Sequence, residues 1–113
     1  MSKALRVRLY RGDTWRRAWL LRQPSGAPVD LTGATARLHV RSDTGALMIQ
    51  ASTADGRISI VPDDGRITMS VPYAATALTP GSYRYDIEVT YADGARQTIE
   101  QSTLIVLEDM SRD

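Results

Sequence analysis

The residues that could carry catalysis are few and widely separated. His39 is the single histidine, and it lies between Arg37 and Arg41 in an alternation of polar and apolar residues. A general base needs an orienting acid and a substrate pocket, whereas two flanking cations favour the neutral imidazole. A Ser-His-Asp triad would depend on the same histidine, cysteine is absent, and no G-x-S-x-G elbow occurs. The sequence therefore predicts a surface histidine, no catalytic residue and no enzyme.

Metal and phosphate sites also lack their usual residues. A chain with one histidine and no cysteine cannot build a thiolate or histidine metal cluster. Asp63-Asp64-Gly65 could offer oxygen ligands to Ca²⁺, but the Asp-x-Asp-x-Asp-Gly spacing is missing, and a backbone turn explains the same residues. The eight glycines are scattered singly, without a G-x-x-x-x-G-K-[ST] loop. We expect neither a metal nor a cofactor.

Trp15 and Trp19 have two interpretations. Two indoles on one strand face can form a platform for a sugar ring, or they can fill the core between two sheets. The core interpretation is favoured for at least one of them. Arg17 shares their parity, so it can stack on an indole near a sheet edge.

Positive charge is concentrated at the start of the chain. Residues 1–22 hold seven basic residues against Asp13 alone, whereas the remainder has seven arginines against twelve acids. The alternation around Arg6 and Arg8 places both away from the core, and Arg16 and Arg22 extend this patch if the second strand pairs beside the first. A solvated face, an interface with an acidic neighbouring subunit, and nucleic acid all remain open. Nucleic acid is least favoured, because exposed aromatic residues are not interleaved with the arginines.

Period-two alternation dominates the chain and predicts short strands throughout. Asp-Gly pairs ending at Gly56, Gly65 and Gly94 indicate hairpins, since glycine adopts the positive φ of tight turns. About seven to nine antiparallel strands predict an all-β fold, an immunoglobulin-like sandwich, in one domain over residues 1–113. Its predicted core includes Leu38, Val40, Ile67, Met69, Tyr85, Ile87 and Val89.

Two local details can be predicted in the last strands. Ile99 differs in parity from Leu104, which suggests a bulge near Ser102–Thr103. Residues 78–83 (LTPGSY) enter the clearest strand either as a tyrosine corner, with a hydroxyl tied to nearby backbone, or as a plain Pro-Gly turn before a core tyrosine. The helical signal is confined to residues 73–78.

No apolar run approaches the roughly 20 residues that span a membrane, and the first residues lack the apolar stretch of a signal peptide. We expect no membrane partner. The expected location is the cytoplasm in which the chain is made, or a larger particle as part of which the chain is exported.

Three segments together resemble a known group of proteins. DLTGAT at residues 30–35, a DGRI hairpin in mid-chain and LTPGSYRYDIEVTYADG at residues 78–94 look like small tail and baseplate proteins of bacteriophages and prophages. The likeness runs from about residue 13 to 109 and is strongest to the N-terminal domain of baseplate upper proteins, in which an immunoglobulin-like sandwich anchors a receptor-binding assembly.

This resemblance implies a structural or adaptor protein of a virion, made in the host bacterial cytoplasm. It would contact other tail proteins and copies of itself, and it brings no catalytic residues. A carbohydrate-binding module for surface attachment is the alternative.

Overall fold

The computed structural model describes residues 6–108, and eight β-strands account for most of this range. Two short 3-10 turns, Pro62–Asp64 and Tyr73–Thr76, lie between strands. The strands are β1 (Arg6–Tyr10), β2 (Trp15–Leu20), β3 (Thr35–Arg41), β4 (Leu47–Ser52), β5 (Ile58–Val61), β6 (Arg66–Val71), β7 (Gly81–Thr90) and β8 (Arg96–Leu107).

The strands form two sheets packed as a sandwich. The five-stranded sheet has the order β1-β8-β7-β3-β4, and the three-stranded sheet has the order β2-β6-β5. Every pairing is antiparallel except that of β1 with β8, which is parallel and sets Arg6 beside Thr103. The expectation of purely antiparallel strands is therefore wrong for β1. The chain crosses to the other sheet after Tyr10, so β1 cannot form a hairpin with β2 and pairs with β8 instead.

The predicted core is confirmed. All seven predicted residues are buried between the sheets because they share the inward parity of their strands. Both sheets contribute further side chains to the same cluster, and Leu31 joins it from the segment between β2 and β3. The core therefore ties the early loop region to the two sheets.

The bulge in β8 lies earlier than expected. Ile87 pairs with Glu100 and Glu88 pairs with Thr98, which leaves Ile99 as the extra residue. The predicted position at Ser102–Thr103 is wrong, because the residues between Ile99 and Leu104 are polar and conceal where the parity changes. The bulge turns Glu100 and Ser102 toward the same side as the core residues Leu104 and Val106.

The positive φ predicted for the turn glycines and the tyrosine corner are confirmed. The hairpin predicted at Gly56 is wrong, because the strands on either side of it, β4 and β5, belong to different sheets. Gly56, Gly65 and Gly94 have φ values of 82°, 61° and 90°. At Gly65 a Cβ atom would also lie 2.5 Å from the Leu21 carbonyl oxygen, so space as well as φ excludes a side chain there. The hydroxyl of Tyr83 donates a hydrogen bond to the Thr79 carbonyl oxygen at 2.5 Å, which makes residues 78–83 a tyrosine corner.

Replacing Ile87 with alanine tests the core. The side chain is fully buried, so Ile87→Ala should lower the free energy of unfolding by about 2–5 kcal/mol in chemical denaturation. Ser82→Ala, at an exposed position on the same strand, should change it by less than about 0.5 kcal/mol. Equal effects of the two substitutions would contradict the inward orientation of Ile87.

Candidate interaction surface

A polar cluster joins the two sheets at the side where β2 faces β8. The Glu100 carboxylate accepts hydrogen bonds from Arg17 Nη2 and Trp19 Nε1, each at 3.1 Å, and from the Tyr85 hydroxyl. Arg17 Nη1 also donates to the Tyr85 hydroxyl at 3.0 Å, and its guanidinium lies 5.0 Å from the centre of the Trp19 ring. The predicted stacking of Arg17 on an indole is confirmed. The charged carboxylate of Glu100, on the inward side of β8, is therefore hydrogen-bonded to three side chains.

Partial burial changes the acid–base properties of this cluster. Burial lowers the pKa of Arg17, but contacts with Tyr85 and Glu100 outweigh it and hold that pKa above its ordinary value. Burial is also the main reason that the pKa of Tyr85 is raised, and its hydrogen bond to Glu100 acts in the same direction. Arg17 stays charged and Tyr85 stays neutral at physiological pH, which suits a structural connection rather than proton transfer.

Both tryptophans belong to the core. Trp15 is 3% exposed and Trp19 is 8% exposed, so neither ring offers an open face to a sugar. Trp15 packs edge-on against Tyr85 of the opposite sheet, with ring centres 5.5 Å apart. The favoured interpretation of these residues as core is confirmed.

The four arginines predicted to form one interface do not lie together. Arg6 and Arg8 point outward from β1, as expected, beside Thr103 and Ile105 of β8. Arg16 lies on the outer side of the three-stranded sheet, and the exposed Arg22 follows β2 in an isolated bridge to Pro28. The condition for one continuous patch, that β2 pair beside β1, is not met, because these strands belong to different sheets.

The outward side of the five-stranded sheet, here called the outer face, carries mixed charge. Arg37 and Glu88 form an ion pair at 3.3 Å across β3 and β7. His39 lies opposite Asp86 on the same two strands, and Arg41 Nη2 approaches His39 Nδ1 at 3.4 Å. Partial burial is the main reason that the pKa of His39 is lowered, and the neighbouring arginines 37 and 41 lower it further. A neutral imidazole can accept a hydrogen bond from Arg41. His39 is therefore one of the polar side chains on the outward side of β3.

Three arginines cross the outer face in one row, which the sequence analysis missed. Arg6 and Arg84 lie on either side of Thr103, and Arg41 lies directly opposite Arg84. We call Arg6, Arg84 and Arg41 the arginine row. Each residue has the outward parity of its strand, but only the pairing register aligns them. Like charges directly opposite one another destabilise a sheet, so this alignment has an energetic cost.

Two adjoining hollows lie along the arginine row. One has a volume of about 380 Å³ and is lined by Arg6, Arg84 and Thr103 among others. The other, of about 350 Å³, is lined by Arg41, His39 and Arg84 among others. Asp43, in the turn between β3 and β4, borders both. Between residues 6 and 108, the ion pairs are Arg17–Glu100 and Arg37–Glu88, so the arginine row has no carboxylate partner there.

The acidic pair considered as a Ca²⁺ site from the sequence lies in a backbone turn. Asp63 and Asp64 form part of a 3-10 turn that ends at Gly65 in the left-handed conformation. Across residues 6–108, no three acidic or histidine side chains converge as metal ligands would. In the same range, no helix has the length and apolar character to cross a membrane.

Comparisons with known proteins identify the fold but no family. No family model matches the sequence, and no curated protein matches it. The solved structure of CopC from Methylosinus trichosporium OB3b is similar, with a TM-score of 0.56 and 14% identity over 98% of this chain and 91% of that one. The Lin-41 filamin domain has a TM-score of 0.48 and 17% identity over 88% of this chain and 82% of that one.

The strand order of the two sheets is that of an immunoglobulin-like sandwich. The immunoglobulin fold places its second, fifth and fourth strands in one sheet and its third, sixth and seventh in the other, with a tyrosine corner at the start of the sixth. Here β4 is an additional strand beside β3, so β5 to β8 correspond to the fourth to seventh strands of that fold. β2, β6 and β5 form one sheet, while β3, β7 and β8 belong to the other, and Tyr83 lies near the start of β7. The chain is an all-β, immunoglobulin-like sandwich.

Removing the inter-sheet carboxylate should be more harmful than removing the whole ion pair. Glu100→Leu removes the carboxylate to which Arg17, Tyr85 and Trp19 all donate and should cost about 1–3 kcal/mol in chemical denaturation. The double variant Arg17→Met/Glu100→Leu should recover part of this loss, because the unpaired cation is also removed.

The exposed Arg37–Glu88 pair is the matched control for this comparison. A double-mutant cycle of Arg37→Met, Glu88→Leu and their double variant should give a coupling energy below about 1 kcal/mol. The cycle of Arg17→Met, Glu100→Leu and their double variant should give a larger one. Equal coupling energies in the two pairs would contradict a special role for Glu100.

The lowered pKa of His39 predicts a dependence of stability on pH. The His39 imidazole binds a proton less tightly in the folded chain than in the unfolded chain, where its pKa has the ordinary value of 6.5. The resulting stabilisation is complete above that value and is lost as pH falls through the lowered folded pKa. His39→Gln should therefore flatten the fall in unfolding free energy as the pH is lowered below 6.5. Identical slopes for both proteins would contradict the prediction.

Proposed function

We propose that this chain is a non-enzymatic structural or adaptor protein of a phage or prophage virion, located in the tail or baseplate. It acts through contacts with other tail proteins and with copies of itself. The observation that carries the proposed protein–protein contacts is the outer face, where Arg6 and Arg8 project from an edge strand without ion-pair partners in residues 6–108. Planar guanidinium groups are well suited to carboxylates across a subunit interface.

The charge distribution supports contact with an acidic surface. Residues 1–22 are strongly basic and the remainder is acidic, so one copy presents both signs. Complementary charges increase the rate of association and select the orientation of the partners. Asp86 of another copy is one candidate acceptor for the arginines of β1. Glu88 is already paired with Arg37 in its own chain, and is therefore a weaker candidate.

The residues described support an adaptor better than the carbohydrate-binding alternative. That alternative relied on the rings of Trp15 and Trp19, and both are enclosed by the sandwich. The tail and baseplate assignment relies on the resemblance of residues 30–35 and 78–94 to small phage proteins. The remaining aromatic residue on the outward row of β1, Tyr10, stands alone and forms no paired platform with the indoles.

Self-association can be measured directly. Analytical ultracentrifugation should show that the average mass of the wild-type protein rises with concentration at low salt and falls when salt screens the charges. Arg6→Glu/Arg8→Glu should remain monomeric under the same conditions. The control Arg16→Glu/Arg22→Glu changes the same charge on other surfaces and should behave as the wild type does. A wild-type protein that stays monomeric at every protein and salt concentration would contradict the proposed self-association.

The virion assignment has its own test. Mass spectrometry of particles purified from an induced host should detect the chain at a stoichiometry typical of a tail or baseplate component. Genes for tail proteins should lie beside its gene. Absence of the chain from complete, infectious particles would contradict the proposed location.

A further inference from the structure

We infer that the hollow between Arg6 and Arg84 is a binding site for the carboxylates of an acidic protein segment. The inference deepens the proposed function, on which it rests, by assigning a site and a partner chemistry to the outer face. Its starting point is the unfavourable register of the sheet. Arg41 and Arg84 are direct neighbours on β3 and β7, and Arg6 lies two strands from Arg84 in the same row.

The hollow has the donors that a carboxylate requires. Arg6 and Arg84 flank it from β1 and β7, and Thr103 of β8 lies between them in the pairing register. Two guanidinium groups can each donate paired N–H groups, and the threonine hydroxyl can donate one more hydrogen bond. Neither Arg6 nor Arg84 forms an ion pair within residues 6–108, so their donors are available to a ligand. A bound anion would also relieve the repulsion along the arginine row.

The second hollow allows the same segment to continue across the face. Neighbouring strands lie about 5 Å apart, so Arg84 and Arg41 are separated by one such step and Arg6 and Arg84 by two. Alternate residues of an extended chain repeat every 6–7 Å, roughly. An extended segment of about five residues with Asp or Glu at alternate positions therefore spans the arginine row. It would lie across the strands of the five-stranded sheet.

The surrounding charges favour an acidic protein segment over nucleic acid. Asp43 borders both hollows, and Asp86 and Glu88 follow Arg84 on the outward row of β7. These carboxylates interrupt the continuous positive track that a phosphate backbone follows. Stacking of bases needs exposed aromatic rings, and among the described outward rows of the five strands only Tyr10 provides one. The carboxylates of a protein segment are separate charges, so they can contact the arginine row without lying against Asp43, Asp86 or Glu88.

Binding can be measured with a defined peptide. The probe is the capped peptide Glu-Thr-Glu-Thr-Glu, with Gln-Thr-Gln-Thr-Gln as its uncharged control, titrated into the full chain at low salt and followed by NMR chemical shifts. The acidic peptide should bind and should shift the amide signals of Arg84 and Thr103. Raising the salt concentration should weaken the binding of the acidic peptide, because the contact is electrostatic.

Single substitutions locate the site. Arg84→Gln should weaken peptide binding by about tenfold, and Thr103→Val should weaken it less, by about threefold. Arg16→Gln removes an equally charged residue from the outer side of the other sheet and should leave binding unchanged. Without peptide, Arg84→Gln should raise the melting temperature by about 1–2 °C, because it removes the opposed positive charges and not a folding contact.

Three results would overturn the site. They are equal binding of the acidic and uncharged peptides, equal effects of Arg84→Gln and Arg16→Gln, or tighter binding of a single-stranded oligonucleotide of the same charge through the same arginines. The outcome is separable from the proposed function. Peptide binding by a chain that is absent from virions would retain the site and reject the tail assignment, whereas a virion component that ignores the peptide would do the reverse.

Discussion

The Glu100 carboxylate connects the two sheets at the side where the sandwich would otherwise be open. β2 is an edge strand of its sheet, and β1 covers only the second half of β8, from Thr103 onward. Arg17 and Trp19 of β2 reach across this gap to Glu100, with Tyr85 as a third partner. A carboxylate this enclosed would be costly alone, so the four side chains depend on one another.

The cluster occupies the region in which antibody domains use a disulfide. In those domains the second cysteine lies two residues after the corner tyrosine, and the bond joins the two sheets. Tyr83 is the corner tyrosine here, and two residues later Tyr85 meets Trp15 and Arg17 of the opposite sheet. A chain without cysteine thus joins its sheets by ring packing and charged hydrogen bonds, which do not depend on an oxidising compartment.

A well-filled core gives the outer face freedom to vary its charge. Leu38, Ile87 and Val89 are fully buried behind strands whose outward side chains are mostly charged or polar. Removing a buried side chain of this kind costs several kilocalories per mole, whereas an unfavourable pair of exposed charges costs a few tenths. The opposition of Arg41 and Arg84 is therefore tolerable for the fold, and a partner that supplies carboxylates would turn it into an advantage.

The sequence by itself determined the strands, the turns and the core. Alternation identified residues such as Val40 and Met69, since one face of each strand must be apolar, and Asp-Gly pairs located turns that need positive φ. Tertiary structure alone decided which strands became neighbours. The bulge at Ile99 placed Glu100 inward, the transfer of the chain between sheets separated Arg16 from Arg6, and the pairing register aligned Arg6 with Arg84. Local periodicity reports which way a side chain points, but contacts between distant strands follow from how the whole core closes.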